Sequence, residues 1–139
     1  MIIGIDPDLT QSGIACLHCD TKRIEYSCLD FVSTLKFIRM NQPIIKRVYI
    51  EAGWFNKKSS YHGSPNMSTA ARIGKNVGEN HATGKLLAQC IEAEQIKVIL
   101  VKPTKKKLNA EQFKSITGIQ TRTNQEHRDA VMLIWGMDK

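Results

Sequence analysis

The chain has 139 residues, the length of one ordinary domain, with 42% hydrophobic and 24% charged residues, a balance that points to one globular core and excludes a disordered chain. No apolar run approaches the ~18 residues of a membrane span, and the first residues form a strand pattern with neither a basic leader region nor a cleavage site, which predicts no signal peptide and a cytosolic location. Twenty Lys and Arg against thirteen Asp and Glu leave +7, a surplus that calls for an anionic partner, nucleic acid first.

Residues 2–6, 12–20 and 23–32 read as three strands joined by short turns, an antiparallel meander. Cys16 and Cys19 form a CxxC, but in an alternating strand they face opposite sides. A shared zinc is not expected, and all four cysteines read as small apolar residues without disulfides. Residues 34–40 form a short helix that stops before Pro43, and "RVYIEA" (47–52) is a compact strand that ends on Glu51.

The stretch "GWFNKKSSYHGSPN" (53–66) is a loop with embedded aromatics, and loops of this length are often functional. A long helix follows over residues 68–94, in which Gly74, Gly78 and Gly84 mark weak points or close packing. "IKVILV" (96–101) reads as a strand buried on both faces. A basic loop leads to a short helix between Asn109 as N-cap and Gly118 as C-cap. The last helix starts at Thr123 or Asn124 and stops near Gly136. Strands grouped first, then strand and helix alternating, imply one mixed sheet covered by helices.

The chemistry lies in the acids. Asp6 closes the first strand, Glu51 closes the fourth, and Glu126 with Asp129 shares one face of the last helix at i, i+3 spacing. If the first and fourth strands are neighbours, four carboxylates converge. Such a cluster repels itself unless cations fill it, and oxygen-only ligands suit Mg²⁺ or Mn²⁺. Two such ions about 4 Å apart make a phosphodiester-cleaving site. Each acid also has an ordinary reading: a turn at Asp6, a lysine partner for Glu51, service to the helix dipole for Glu126 and Asp129. Those readings leave unexplained why acids end two otherwise apolar strands in a basic protein.

"GIDPDLTQSG", "YIEAGWF" and "EHRDAV", in that order, resemble the three motifs of RuvC-type Holliday-junction resolvases of the RNase H-like nuclease superfamily, across essentially the whole chain. The resemblance implies an α/β fold with a five-stranded mixed sheet, an antiparallel meander of strands 1–3 plus parallel strands 4 and 5, flanked by helices in one domain spanning residues 1–139. It also implies a homodimer, two Mg²⁺ ions per site that Mn²⁺ can replace, and symmetrical nicking of four-way DNA junctions in recombination and repair. Asp6, Glu51 and Asp129 match catalytic metal ligands, and Glu126 matches the fourth. Trp54 matches an aromatic that stacks on bases, with Phe55 and Tyr61 as further candidates. A lysine near the scissile phosphate is matched by Lys105, Lys106 or Lys107, with Lys57 and Lys58 in second line.

Two departures stand out. Asp8 occupies a position usually small, as a turn former or an extra ligand. Glu126 stands for the more usual Asp, and next to it His127 is an alternative ligand or proton shuttle. An actin-like ATPase shares the opening strand and turn, but the chain is too short for it. A non-catalytic junction- or nucleic-acid-binding module of this fold and a nuclease for another branched DNA or RNA substrate remain alternatives.

Overall fold

The computed structural model of the protein describes residues 1–56, 66–104 and 106–138. The strands are β1 (Ile2–Asp6), β2 (Ser12–Leu17), β3 (Ile24–Leu29), β4 (Arg47–Glu51) and β5 (Val98–Val101); the helices are α1 (Phe31–Asn41), α2 (Met67–Ala93), α3 (Ala110–Thr117) and α4 (Gln125–Ile134). The five strands form one sheet in the order β3-β2-β1-β4-β5. The β1–β2 and β2–β3 pairs are antiparallel and the β1–β4 and β4–β5 pairs parallel, the expected mixed sheet. Antiparallel neighbours close through short turns, whereas the parallel step from β4 to β5 needs the crossover that α2 supplies.

Period-2 alternation assigns each side chain to a face. Ile3, Ile5, Ile14, Val48 and Ile50 meet Ile38 of α1 and Leu87, Ala88 and Ile91 of α2 in one core. Ile2, Ala15, Leu17 and Tyr49 meet Phe113 of α3 and Ala130, Val131 and Ile134 of α4 in the other. The same parity carries Asp6 and Glu51 to the α4 side, because they continue the Ile2–Gly4 and Tyr49 rows. Two glycines let α4 lie close to the sheet. A Cβ at Gly4 would stand 2.5 Å from the Ala130 carbonyl oxygen, and one at Gly13 would stand 2.3 Å from that of Glu126.

Several boundaries differ from those read in the sequence. β2 and β3 stop at Leu17 and Leu29, and Asp30 caps α1, its side chain accepting from the Ser33 N–H; the helix therefore starts at Phe31 rather than residue 34. A carboxylate that satisfies an orphan helix N–H ends the strand there. β5 is not buried on both faces: it is the edge of the sheet, shorter than expected, and Leu100 is exposed. Its aliphatic residues resemble an inner strand's because β4 and both cores still cover most of them. Asn66 caps α2, Asn109 and Gly118 bracket α3, and Asn124 caps α4. Cys16 belongs to the α2-side core and Cys19 packs on the α4-side core, and all four cysteines are free. No helix among the described residues is long and apolar enough to cross a membrane.

Candidate metal centre

The parallel β1–β4 pair puts Ile5 beside Ile50, so that Asp6 and Glu51 emerge next to each other at the ends of their strands. Asp129 reaches them from the second turn of α4. Asp6, Glu51 and Asp129 each offer a carboxylate oxygen, and these atoms lie within 4.8 Å of one another. This is the convergence that the strand-end acids foreshadow. Glu126 stands apart from that trio. It lines a neighbouring recess with Asp8, Thr10, Gln11 and Asn124, while its charge still acts on Asp6.

The trio carries a cation of the protein's own. The Lys107 ammonium donates to Asp129 Oδ2 at 2.9 Å and to Glu51 Oε1 at 3.2 Å. Burial alone lowers the Lys107 pKa, but the Asp129 hydrogen bond and the charges of Glu51, Asp129 and Asp6 outweigh it and raise the pKa above its ordinary value. Asp6 shows the reverse balance: burial, then repulsion from Glu51 and Asp129, pushes its carboxyl up to about 7 against the pull of Lys107. One ammonium does not offset this much negative charge.

Hard oxygen donors from three elements, Asp6 destabilised as an anion and Glu51 and Asp129 already drawing in an ammonium, fit a divalent cation such as Mg²⁺ or Mn²⁺. Asp6, Glu51 and Asp129 are the residues that would hold it.

Supporting contacts keep the trio in place, and Arg128 and Gln125 are the residues that the motifs did not single out. The Gln125 amide donates to Asp129 Oδ1 at 2.7 Å. Arg128 donates to the Leu108 carbonyl at 3.1 Å, to the Thr123 carbonyl at 3.0 Å and to Gln125 Oε1 at 3.2 Å, tying the segment that carries Lys107 to α4. An Arg one residue before a helical acid is the only local sign of this clamp. His127 is turned elsewhere: its Nδ1 accepts from the Asn124 N–H at 3.2 Å in a capping box, and its ring packs on Tyr26 at 5.0 Å. It is not among the ligand atoms that converge on the trio. Asp8 forms a turn, accepting from the Thr10 and Gln11 N–H groups.

A recess of about 170 Å³ on the α2 side is lined by Asp6, Glu51, Trp54, Asn80 and His81. Trp54 is half-buried, close to Pro7 and Gly84, where a Cβ would stand 2.7 Å from the indole ring, and Lys85 lies over the ring at 5.7 Å. Phe55 is 42% exposed. His81 and Asn80 join this wall although nothing in their helical surroundings announces it; burial, then the Lys85 charge, keeps the His81 pKa below its ordinary value. Lys106 is exposed beside Lys107. Lys57, Lys58, Tyr61 and Lys105 lie outside the described residues.

A mixed sheet of this order with helices on both faces is the RNase H-like fold in its RuvC form. The sequence matches no protein-family model and no curated protein. Among solved structures the chain is similar to RuvC of T. thermophilus in complex with a Holliday junction substrate, with a TM-score of 0.59 and 14% identity, over 95% of this chain and 88% of that chain. At that identity the likeness establishes the fold.

Proposed function

We propose that the protein is a divalent-metal-dependent endonuclease that nicks four-way DNA junctions symmetrically by phosphodiester hydrolysis. The observation that carries this reading is the meeting of Asp6, Glu51 and Asp129 within 4.8 Å at the strand ends of a RuvC-like fold. Mg²⁺ or Mn²⁺, two ions in the full site, would supply charge neutralisation at the scissile phosphate and activation of water.

The chain's own residues do the rest. Asp6, Glu51 and Asp129 hold the cations, and Glu126 adds negative field from the neighbouring recess. Lys107, freed from the carboxylates when a stronger cation replaces it, contacts a phosphate oxygen through the same ammonium, with Lys105 and Lys106 beside it. Phe55 and Trp54 meet unpaired bases, and Lys57, Lys58 and Tyr61, which follow them in the sequence, are further candidates for contact with bases and flanking phosphates. Two symmetrical nicks require two sites, which a twofold homodimer supplies.

The test is incubation with labelled four-way junction, linear duplex, single strand and RNA–DNA hybrid, each with Mg²⁺ or Mn²⁺ and with an Asp6→Asn control. Paired nicks confined to the junction and absent from the control are expected. Binding without cutting would replace the reading with a non-catalytic junction-binding module. Cutting of another substrate alone would retain the metal chemistry and remove the junction.

A further inference from the structure

On the α4 side of the acids, opposite the Trp54 recess, runs a groove of about 450 Å³. Its walls include Tyr49, Val101, Leu108, Met132 and Leu133, and its rim carries Lys102, Lys106 and Lys107. Glu51 and Asp129 line it as well, so the groove and the acid trio share side chains and are continuous.

We propose that this groove seats one unpaired nucleobase, that of the nucleotide whose phosphate lies over the acid trio. The inference rests on the nuclease reading and deepens it. The volume falls within the ~300–1,000 Å³ usual for small-ligand sites. Apolar walls containing a methionine suit the flat face of a base of any identity, and the three lysines offer donors to its phosphates. A plain apolar ligand would make no use of the Lys102 and Lys106 charges that flank the groove. An anionic head group drawn to Lys107 would also meet Glu51 and Asp129, which tolerate an anion only through a shared cation, and a phosphodiester at a metal site meets that condition. A base inside a duplex is stacked and paired and does not reach the groove without extrusion. The groove therefore favours substrates in which a base leaves its stack at little cost, as at a branch point, and disfavours linear duplex.

The chain provides its own reporters. Of its five methionines, Met132 and Met137 line the groove, Met1 packs on the α2-side core, and Met40 and Met67 are exposed elsewhere, at 83% and 89%. With ¹³C-methyl-methionine protein and Mg²⁺, titration with thymidine 5′-monophosphate should shift Met132 and Met137 saturably and leave Met1, Met40 and Met67 unmoved. Inorganic phosphate alone should leave the two groove methyls in place. Ile116, 50% exposed on the outer wall, allows a variant with little risk to folding: Ile116→Glu should keep the melting temperature and weaken nucleotide binding about tenfold.

Unmoved groove methyls, equal shifts with phosphate alone, or an unaltered affinity in Ile116→Glu would each overturn the proposal. Concentration-dependent shifts of Met132 and Met137 without nucleotide would assign the groove to a second copy of the chain and overturn it likewise. Junction cleavage without a groove shift would remove the base site and leave the nuclease reading. A groove shift without cleavage of any substrate would do the opposite.

Discussion

The Lys107 ammonium sits 2.9 Å from Asp129 Oδ2, with Glu51 Oε1 at 3.2 Å, where a metal ion bound to these two carboxylates would compete with it. The two carboxylates are 11% and 13% exposed and the lysine 45%, so the acids are anchored while the lysine has an open route out. Lys107→Met should therefore bind Mn²⁺ more tightly than the native chain, by a factor of about 10 for the loss of its two competing charge-assisted bonds, and should cleave more slowly. Calorimetric Mn²⁺ titration beside a single-turnover assay measures both. Unchanged or weaker Mn²⁺ binding would show that the ammonium does not hold the metal's place.

The raised pKa of Asp6 gives the metal-free protein a defined pH response. Below pH 3.8 the carboxyl is protonated in both folded and unfolded states and contributes nothing. Between 3.8 and about 7 the unfolded chain has released the proton that the folded chain retains, so stability falls as pH rises, by at most about 4 kcal/mol. Above pH 7 the loss is complete. Thermal melts in chelator should decline across that window, and Asp6→Asn should flatten the profile and melt higher at pH 8. Mg²⁺ should restore stability to the native chain at pH 8 but much less to the variant. A native profile with no decline between pH 4 and 7 would contradict the assigned shift.

Glu126 and Glu51 are expected to differ in kind. Glu51→Gln removes a converging ligand and should lower Mn²⁺ affinity tenfold or more, by the order of one ligand contact. Glu126→Gln, outside the trio, should change Mn²⁺ affinity only about twofold through its field at Asp6. Equal losses in calorimetry would place Glu126 among the direct ligands.

The close seat of α4 depends on the absence of a side chain at position 13. Gly13→Ala would drive a methyl into the Glu126 carbonyl, 2.3 Å from an ideal Cβ, at a cost of about 1–3 kcal/mol. Because the displaced helix carries Asp129, metal affinity should fall together with stability. Gly78→Ala is the matching control, since nothing lies within 4 Å of a Cβ there and α2 should gain about 0.5–1 kcal/mol. Urea unfolding of the two variants decides the point.

The two aromatics after Glu51 should separate under substitution. Phe55→Ala removes an exposed ring and should weaken junction binding by about 1–3 kcal/mol without altering stability. Trp54→Ala removes the half-buried indole that lies against Gly84 and should lower the melting temperature as well. Electrophoretic binding of junction DNA at fixed salt, paired with thermal melts, distinguishes the two effects.

The caps of the last two helices, Asn109, Gly118 and Asn124, were legible in the sequence because their causes are local. An Asn or Gly at a helix end satisfies or frees the backbone beside it, and apolar alternation shows a strand's two faces whatever it pairs with. The strand-end position of Asp6 and Glu51 and the i, i+3 spacing of Glu126 and Asp129 were visible for the same reason. Their meeting depended on tertiary structure: the parallel β1–β4 register and the approach of α4 over Gly4 and Gly13 join segments far apart in the chain, and they bring Asp129 but not Glu126 into the trio. The edge position of β5 belongs here too, because only sheet order decides which strand lacks a neighbour. Four lysines at 102, 105, 106 and 107 are alike as residues. The folded structure gives Lys107 its two carboxylate partners, beside a Leu108 carbonyl bound by Arg128, and such a distance between remote parts of the chain exists only once the cores on both faces of the sheet have closed.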